Sequence, residues 1–305
     1  MRAFRSVLFL LATCLLATSV LAQRSMDDVQ IDVQHVKGSI HVLYGAGGNI
    51  GACIGDDGVF LIDDQFAPLT DKILAALGTL TQKDVRFVIN THWHRDHTGG
   101  NENLGKRGAI IVAHENVRKR LSSDQFVRAF GAEVPAKPDV AKPVITFGDR
   151  VTFHWNDETI HVFHVPNAHT DGDSVIHFVD SDVIHAGDVV FNGMYPFIDD
   201  SSGGVIGSTI AAVDRILGLC GPETLIIPGH GRVTTPAGLR EYRSMLADVE
   251  RKINRLMRRR RTVEEIVAAK PTADHDAKWG GGFLKPDQWV EIVATGMKNA
   301  KERGR

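Results

Sequence analysis

The sequence predicts an α/β fold in which two sheets pack together with helices outside. Three observations carry this. Short β-like runs alternate with helix-like segments from about residue 30 onward. Both halves run strands and then helix, an order that suits two packed sheets. The last 70 residues are helical in pattern and form an extension. One domain over 23–305 is expected, with a core over about 30–235 and a tail over about 236–305, because no low-complexity linker interrupts residues 25 to 305.

The elements follow in order. "IHVLYG", "GACIG" and "GVFLIDD" read as strands joined by Gly-rich turns. "LTDKILAALGTL" has helical apolar spacing, with Thr70 placed to cap it. "VRFVIN" is a buried strand, "AIIVAHE" another, and "NVRKRLSS" is helix-like. "VTFHW", "ETIHVFHVP", "SVIHFVD" and "DVIHAGDVVF" alternate with period two, "GSTIAAVDRILGL" is helical, and "ETLIIPGHG" is a strand ending in a turn. Thr235-Pro236 opens a tail helix, and "TVEE" at 262–265 matches a capping box closed off by Pro271. "PDQWVEIVATGMKNA" is a final amphipathic helix.

Residues 1–22 are read as a cleaved secretory signal: "MRAFR" is basic, the following stretch is apolar, and "VLA" precedes Gln23. A periplasmic or secreted address follows, without stable membrane insertion. Removing Arg2 and Arg5 takes the net charge from −2 to −4, so no bulk basic field points to nucleic acid. "RRRR" at 258–261 is read as a solvated helix end, where cations meet the dipole favourably. Cys53 and Cys220 remain after cleavage, and sequence leaves their pairing open.

The chemistry concentrates in "THWHRDHTGG", residues 91–100. Imidazole nitrogens and a carboxylate at this density are metal ligands by type. Alternation lets His92 and His94 leave an extended loop on one side, while Asp96 and His97 point apart and serve a different ion. Further ligands are expected where strands end: His169, Asp188 and His230. This yields His92, His94 and His169 for one ion and Asp96, His97 and His230 for a second, with Asp188 bridging. The nine other histidines read as packed or solvated; His164, five residues before His169, is the closest rival.

The order His-x-His-x-Asp-His, His, Gly-Asp and Pro-Gly-His, with the earlier "LIDD", resembles the metallo-β-lactamase superfamily from about Ile40 to Val233. The resemblance implies an αββα sandwich with the site at one edge of the sheets and Asp63 supporting the metal loop from behind. It implies two Zn²⁺ per chain, although an oxygen and nitrogen ligand set also tolerates Fe or Mn. A hydroxide generated at the metals would attack a carbonyl, with Asp96 both a ligand and the orienter or proton acceptor of the attacking water. Loops of this family contact substrate, which makes Tyr44, Phe191, Tyr195 and Phe197 candidate pocket walls; "WGGGF" at 279–283 either covers the site or docks the tail, and docking is favoured.

The implied function is an exported hydrolase of a small lactone, ester or thioester. A true β-lactamase is the alternative, disfavoured because one main lactamase class has Cys where this chain has Asp188. A non-catalytic metal-binding protein is the rival of another class, disfavoured by the complete ligand set. A small-molecule partner is expected; oligomeric state is not legible.

Overall fold

The computed structural model describes residues 26–303, so the expected signal segment lies outside the described residues. Seven strands form the first sheet in the order β1-β2-β3-β4-β5-β6-β9. These are β1 (Asp32–Lys37), β2 (Ile40–Tyr44), β3 (Ile50–Gly55), β4 (Gly58–Ile62), β5 (Val85–Asn90), β6 (Ile110–His114) and β9 (Ile145–Phe147). Pairing is antiparallel from β1 to β4 and parallel from β4 to β9. The second sheet runs β10 (Arg150–Trp155), β11 (Glu158–His164), β12 (Ser174–Phe178), β13 (Val183–His185) and β14 (Leu225–Ile227), antiparallel except for β13–β14. A separate hairpin pairs β7 (Gln125–Val127) with β8 (Ala132–Val134).

Three apolar layers explain the stacking. Phe60, Ile62 and Ile89 of the first sheet meet Ile160, Ile176 and Ile227 of the second. The outer face of the first sheet packs Leu43, Leu61 and Val88 against Ile73 and Leu77 of helix Thr70–Gly78. Beyond the second sheet, Val175 and Ile184 share a core with Val213 of helix Ile206–Leu217 and Leu246 of helix Pro236–Arg258. The result is the expected αββα sandwich with helices at its C-terminal end, each sheet burying both faces.

Local expectations meet mixed outcomes. Thr235 caps helix Pro236–Arg258, its side chain accepting from Gly238 N. Thr262 and Glu265 form the full capping box of helix Val263–Ala268. Thr262→Ala should therefore cost about 1 kcal/mol, read as a lower midpoint in urea unfolding. Thr70 is not a cap: a short 3-10 turn, Ala67–Leu69, precedes it, and its hydroxyl donates to Ala67 O. The strands β1, β7, β8 and β9 were not anticipated; β1 is a largely exposed edge without clean alternation, and the other three have only three residues each.

Cys53 lies buried between the sheets and Cys220 follows helix Ile206–Leu217, and both are free thiols. The arginine run closes helix Pro236–Arg258, with Arg261 paired to Glu265 at 2.8 Å. Arg258, Arg260, Arg261, Lys298 and Lys301 border a cavity of about 700 Å³ that touches none of the expected ligands. Among the described residues, no helix is long and apolar enough to cross a membrane.

Candidate metal centre

Strand β5 delivers the first ligands. Its parallel neighbours β4 and β6 bury it, and the chain leaves its C-terminal end as Thr91-His92-Trp93-His94. Trp93 turns into the core, where its indole N–H donates to Ser202 Oγ. His92 and His94 turn the other way, and Asp96 and His97 follow on the short helix Arg95–Thr98. His169 comes from the β11–β12 loop, Asp188 from the 3-10 turn Gly187–Val189 after β13, and His230 from the turn after β14.

The structure brings all seven expected ligand residues together. His92, His94, His169 and Asp188 form one cluster and Asp96, His97 and His230 another, with the ligating atoms of each cluster within 4.8 Å of one another. Asp188 faces both. Its Oδ2 lies 3.7 Å from His92 Nε2 and 3.5 Å from His169 Nε2. Its Oδ1 lies 3.1 Å from His97 Nε2 and 3.4 Å from His230 Nε2. Asp96 Oδ2 completes the second cluster at 3.3 Å from His230 Nε2 and 3.6 Å from His97 Nε2.

The donor set fits metal ions. Tetrahedral ligands at the usual Zn–N distance stand about 3.3–3.5 Å apart, close to most of these separations. His92 Nε2 and Asp188 Oδ1 are buried without a hydrogen bond, a costly state for polar atoms that a bound cation relieves.

Four of the five ligand imidazoles, His92, His94, His97 and His169, also have an outward partner that fixes which nitrogen faces inward, as is usual for metal-ligating histidines. His97 Nδ1 bonds Asp63 Oδ2 at 2.7 Å. Asp63 also accepts from Thr91 N and Thr91 Oγ1, each at 2.7 Å, and sits at φ 63° just after β4. Thr91 Oγ1, having donated to Asp63, accepts from His92 Nδ1 at 3.0 Å. His169 Nδ1 donates to Phe197 O at 2.7 Å. His94 is oriented the other way round: Nε2 donates to Asp199 Oδ2 at 3.0 Å, and Nδ1 faces His169 Nε2 at 2.8 Å.

Charge follows the same plan. Burial favours a neutral Asp188, but the surrounding imidazoles, His97 foremost, hold its carboxyl well below the usual range. Burial lowers His92 strongly and His169 to about 4, keeping both lone pairs free at neutral pH. His230 is desolvated, which alone would lower it, yet the facing Asp188 raises it to about 9.

Two glycines make room for the ligands. A Cβ on Gly48 would overlap the His97 ring, and one on Gly229 would overlap Asp188 Oδ1. Gly48 belongs to "YGAGGN", whose Tyr44 stands back from the ligands: its ring lies under the Arg232 guanidinium and its hydroxyl accepts from Val233 N.

The other pocket-wall expectations divide. Phe197 touches the site, with its ring 5.7 Å from His94 and 5.6 Å from His169. Phe191 is fully buried and stacks on His230 at 4.8 Å, so it backs the ligand rather than lining open space. Tyr195 is not a wall: buried, it stacks on Trp289 at 4.3 Å, and its hydroxyl donates to Asp276. In "WGGGF", Trp279 packs on Tyr242 within the tail and docks it to the core by accepting at its carbonyl from Tyr195 N at 2.9 Å, while Phe283 stays exposed. His164 joins neither cluster; it stacks on His114 at 3.8 Å and bonds Asp173 O. Sequence reasoning passed over Asp199 and Asp173, which lie in "FIDD" and "HTDGDS"; Asp173 accepts from His169 N at 2.6 Å.

Comparison with known proteins agrees with this geometry. The family model described as "Metallo-beta-lactamase superfamily" matches residues 45–230. A hydroxyacylglutathione hydrolase of Pelagibacter ubique is 26% identical over 148 residues, 46% of this chain and 54% of that protein. A metallo-beta-lactamase type 2 of Bacillus cereus is 23% identical over 177 residues, 58% of this chain and 64% of that protein. The chain thus spans between half and two thirds of these relatives. Among solved structures, a metallo-beta-lactamase from Pontibacter korlensis superposes with a TM-score of 0.59 at 19% identity, covering 72% of this chain and all of that one. A stereoselective inverting sec-alkylsulfatase from Pseudomonas sp. superposes with a TM-score of 0.65 at 16% identity, covering 87% of this chain and 50% of that one. The matched span, which begins at the Gly-rich loop after Tyr44 and closes on His230, encloses all seven clustered ligand residues, and the chain belongs to the metallo-β-lactamase superfamily.

Proposed function

We propose that the chain is an exported, two-zinc hydrolase that cleaves a lactone, ester or thioester in a small substrate. The observation that carries this is the pair of clusters sharing Asp188, whose two oxygens face different sets of imidazoles. His92, His94, His169 and Asp188 would hold one ion, and Asp96, His97, His230 and Asp188 the other. When bound, such ions supply Lewis-acid polarisation of a carbonyl and bring the pKa of a water molecule down to about 7.

The chain's own residues supply the rest. Asp96 keeps 28% of its side chain exposed against 5% for Asp188, so it is the carboxylate that water and substrate reach. With Oδ2 turned to His97 and His230, its Oδ1 orients the attacking water and accepts the proton. The water oxygen bonds to the carbonyl carbon, the bond from that carbon to the leaving atom breaks, and the leaving atom takes the proton. Phe197 excludes water beside His94 and His169.

A second reading, β-lactam opening, is favoured by the Bacillus cereus relative. Initial rates on a β-lactam, a γ-lactone, an aryl ester and a thioester, for zinc-loaded and chelator-stripped protein, separate the two. Chelator-sensitive turnover of esters or lactones with negligible β-lactam opening is expected. Efficient opening of the β-lactam would reverse the order, and no turnover of any of the four would sink both. For export, the periplasmic or secreted product should begin at Gln23 by N-terminal sequencing; a cytoplasmic product retaining Met1 would overturn that part.

A further inference from the structure

A line of aromatic rings leads away from the candidate metal centre. Phe197 lies against His94 and His169, and the Phe130 ring lies 4.8 Å beyond it. Phe130 is 52% exposed, one ring out from two ligands. It stands between β7 and β8, on the hairpin the sequence did not reveal.

That hairpin is fixed in place. Arg128 N donates to Ser201 Oγ, and the Arg128 guanidinium pairs with Asp200, which also accepts from Asn299 Nδ2 at 2.7 Å. Beside Phe130, between the hairpin and helix Pro286–Arg303, lies a cavity of about 290 Å³. Phe130, Leu284 and Ile292 give it an apolar strip, beside the uncharged Gln288 and Thr295. Its Arg128 and Asp200 already compensate each other, and Glu291 on its wall disfavours an anionic guest. The volume is near the lower end for ligand pockets.

We propose that this is a specificity subsite: an apolar arm of the substrate leaves the reacting carbonyl, runs over Phe197 and Phe130, and ends between Leu284 and Ile292. The inference rests on the hydrolase reading and narrows its substrates to those with an uncharged medium-length acyl or alkyl chain. Phe283 provides an internal control. It is equally exposed, at 55%, but lies on the His230 side, 6.5 Å from Phe191, off the proposed path.

The test uses the zinc-loaded full-length mature chain and 4-nitrophenyl esters from acetyl to decanoyl. A buried methylene is worth up to about fourfold, so kcat/KM for octanoate should exceed that for acetate at least tenfold. Phe130→Ala should lower this ratio about tenfold at unchanged metal content and melting temperature, whereas Phe283→Ala should keep it within twofold. A ratio unaffected by Phe130→Ala, or lowered equally by both variants, would overturn the subsite. Saturation-transfer NMR with 1-octanol reads binding apart from catalysis. Transfer to octanol that is lost in Phe130→Ala supports the subsite even if no ester is cleaved, an outcome that would count against the hydrolase reading alone. No transfer to octanol in the unsubstituted chain would overturn the subsite itself.

Discussion

Asp188→Ala should lower kcat/KM by about 10³-fold and remove about one metal equivalent per chain. Asp188 is the carboxylate whose two oxygens face separate groups of ligands, so its loss disconnects the clusters rather than trimming one of them. Removing a single preorganised charge-stabilising group costs about 10²–10³ in other sites, and on the two-metal reading the deleted group would also help to hold the ions. Metal analysis after dialysis, beside steady-state rates, checks this. A variant that retained both equivalents would refute the bridging role, whatever its rate.

The same substitution should change how stability of the metal-free protein depends on pH. His230 is raised from 6.5 to about 9 in the fold, chiefly by Asp188 acting against desolvation. A group raised on folding contributes stability that is complete below its unfolded pKa and is lost as pH rises through the folded value. The metal-free chain should therefore lose part of its stability between about pH 6.5 and 9. Asp188→Ala should flatten that slope, because the charge that raises His230 is gone. Urea midpoints across this range in the presence of chelator measure it.

The ligand set was more legible than the fold around it, for physical reasons. A metal site needs particular donor atoms, and "HWHRDH" concentrates four of them beside a buried strand, β5. His169, Asp188 and His230 were found by the same logic, since each follows a β-strand. Long amphipathic helices and the strands buried between the sheets were readable from periodicity. Strands β7, β8 and β9 were not: the equally short β13 and β14 announce themselves by a buried apolar run, whereas these three are largely half-buried or exposed and their pairing is decided by tertiary neighbours. Tyr195 illustrates a second limit. An aromatic in a Gly-rich loop reads equally well as a wall or an anchor, and only the stack on Trp289 decides. Asp199 illustrates a third: an acid that touches a ligand rather than a metal has no spacing rule, since its distance in sequence from His94 is set by the fold.

Asp199 nevertheless controls which nitrogen of His94 is available. Its Oδ2 accepts from His94 Nε2 at 3.0 Å and from the Ser202 hydroxyl, and its Oδ1 accepts from Ser201 N at 3.0 Å, Ser202 N at 3.3 Å and the Ser201 hydroxyl, capping the turn Asp200–Ser202. Asparagine has one oxygen for these duties. With that oxygen kept at the two backbone donors, its NH₂ faces His94 Nε2 and requires a lone pair there. The ring proton then moves to Nδ1, the atom that faces His169 Nε2, and the ligand is blocked by its own tautomer. Asp199→Asn should accordingly weaken metal binding at the His92–His94–His169 cluster about 10–100-fold, with little change at Asp96, His97 and His230. Competition against a chelator of known affinity should resolve one weakened and one unaltered equivalent, and turnover should recover as free zinc is raised. Because the backbone cap survives and only the Ser202 hydroxyl loses its acceptor, the metal-free melting temperature should fall by only about 2–4 °C. Equal weakening of both equivalents, or none, would mean that Asp199 supports the loop and not the ligand.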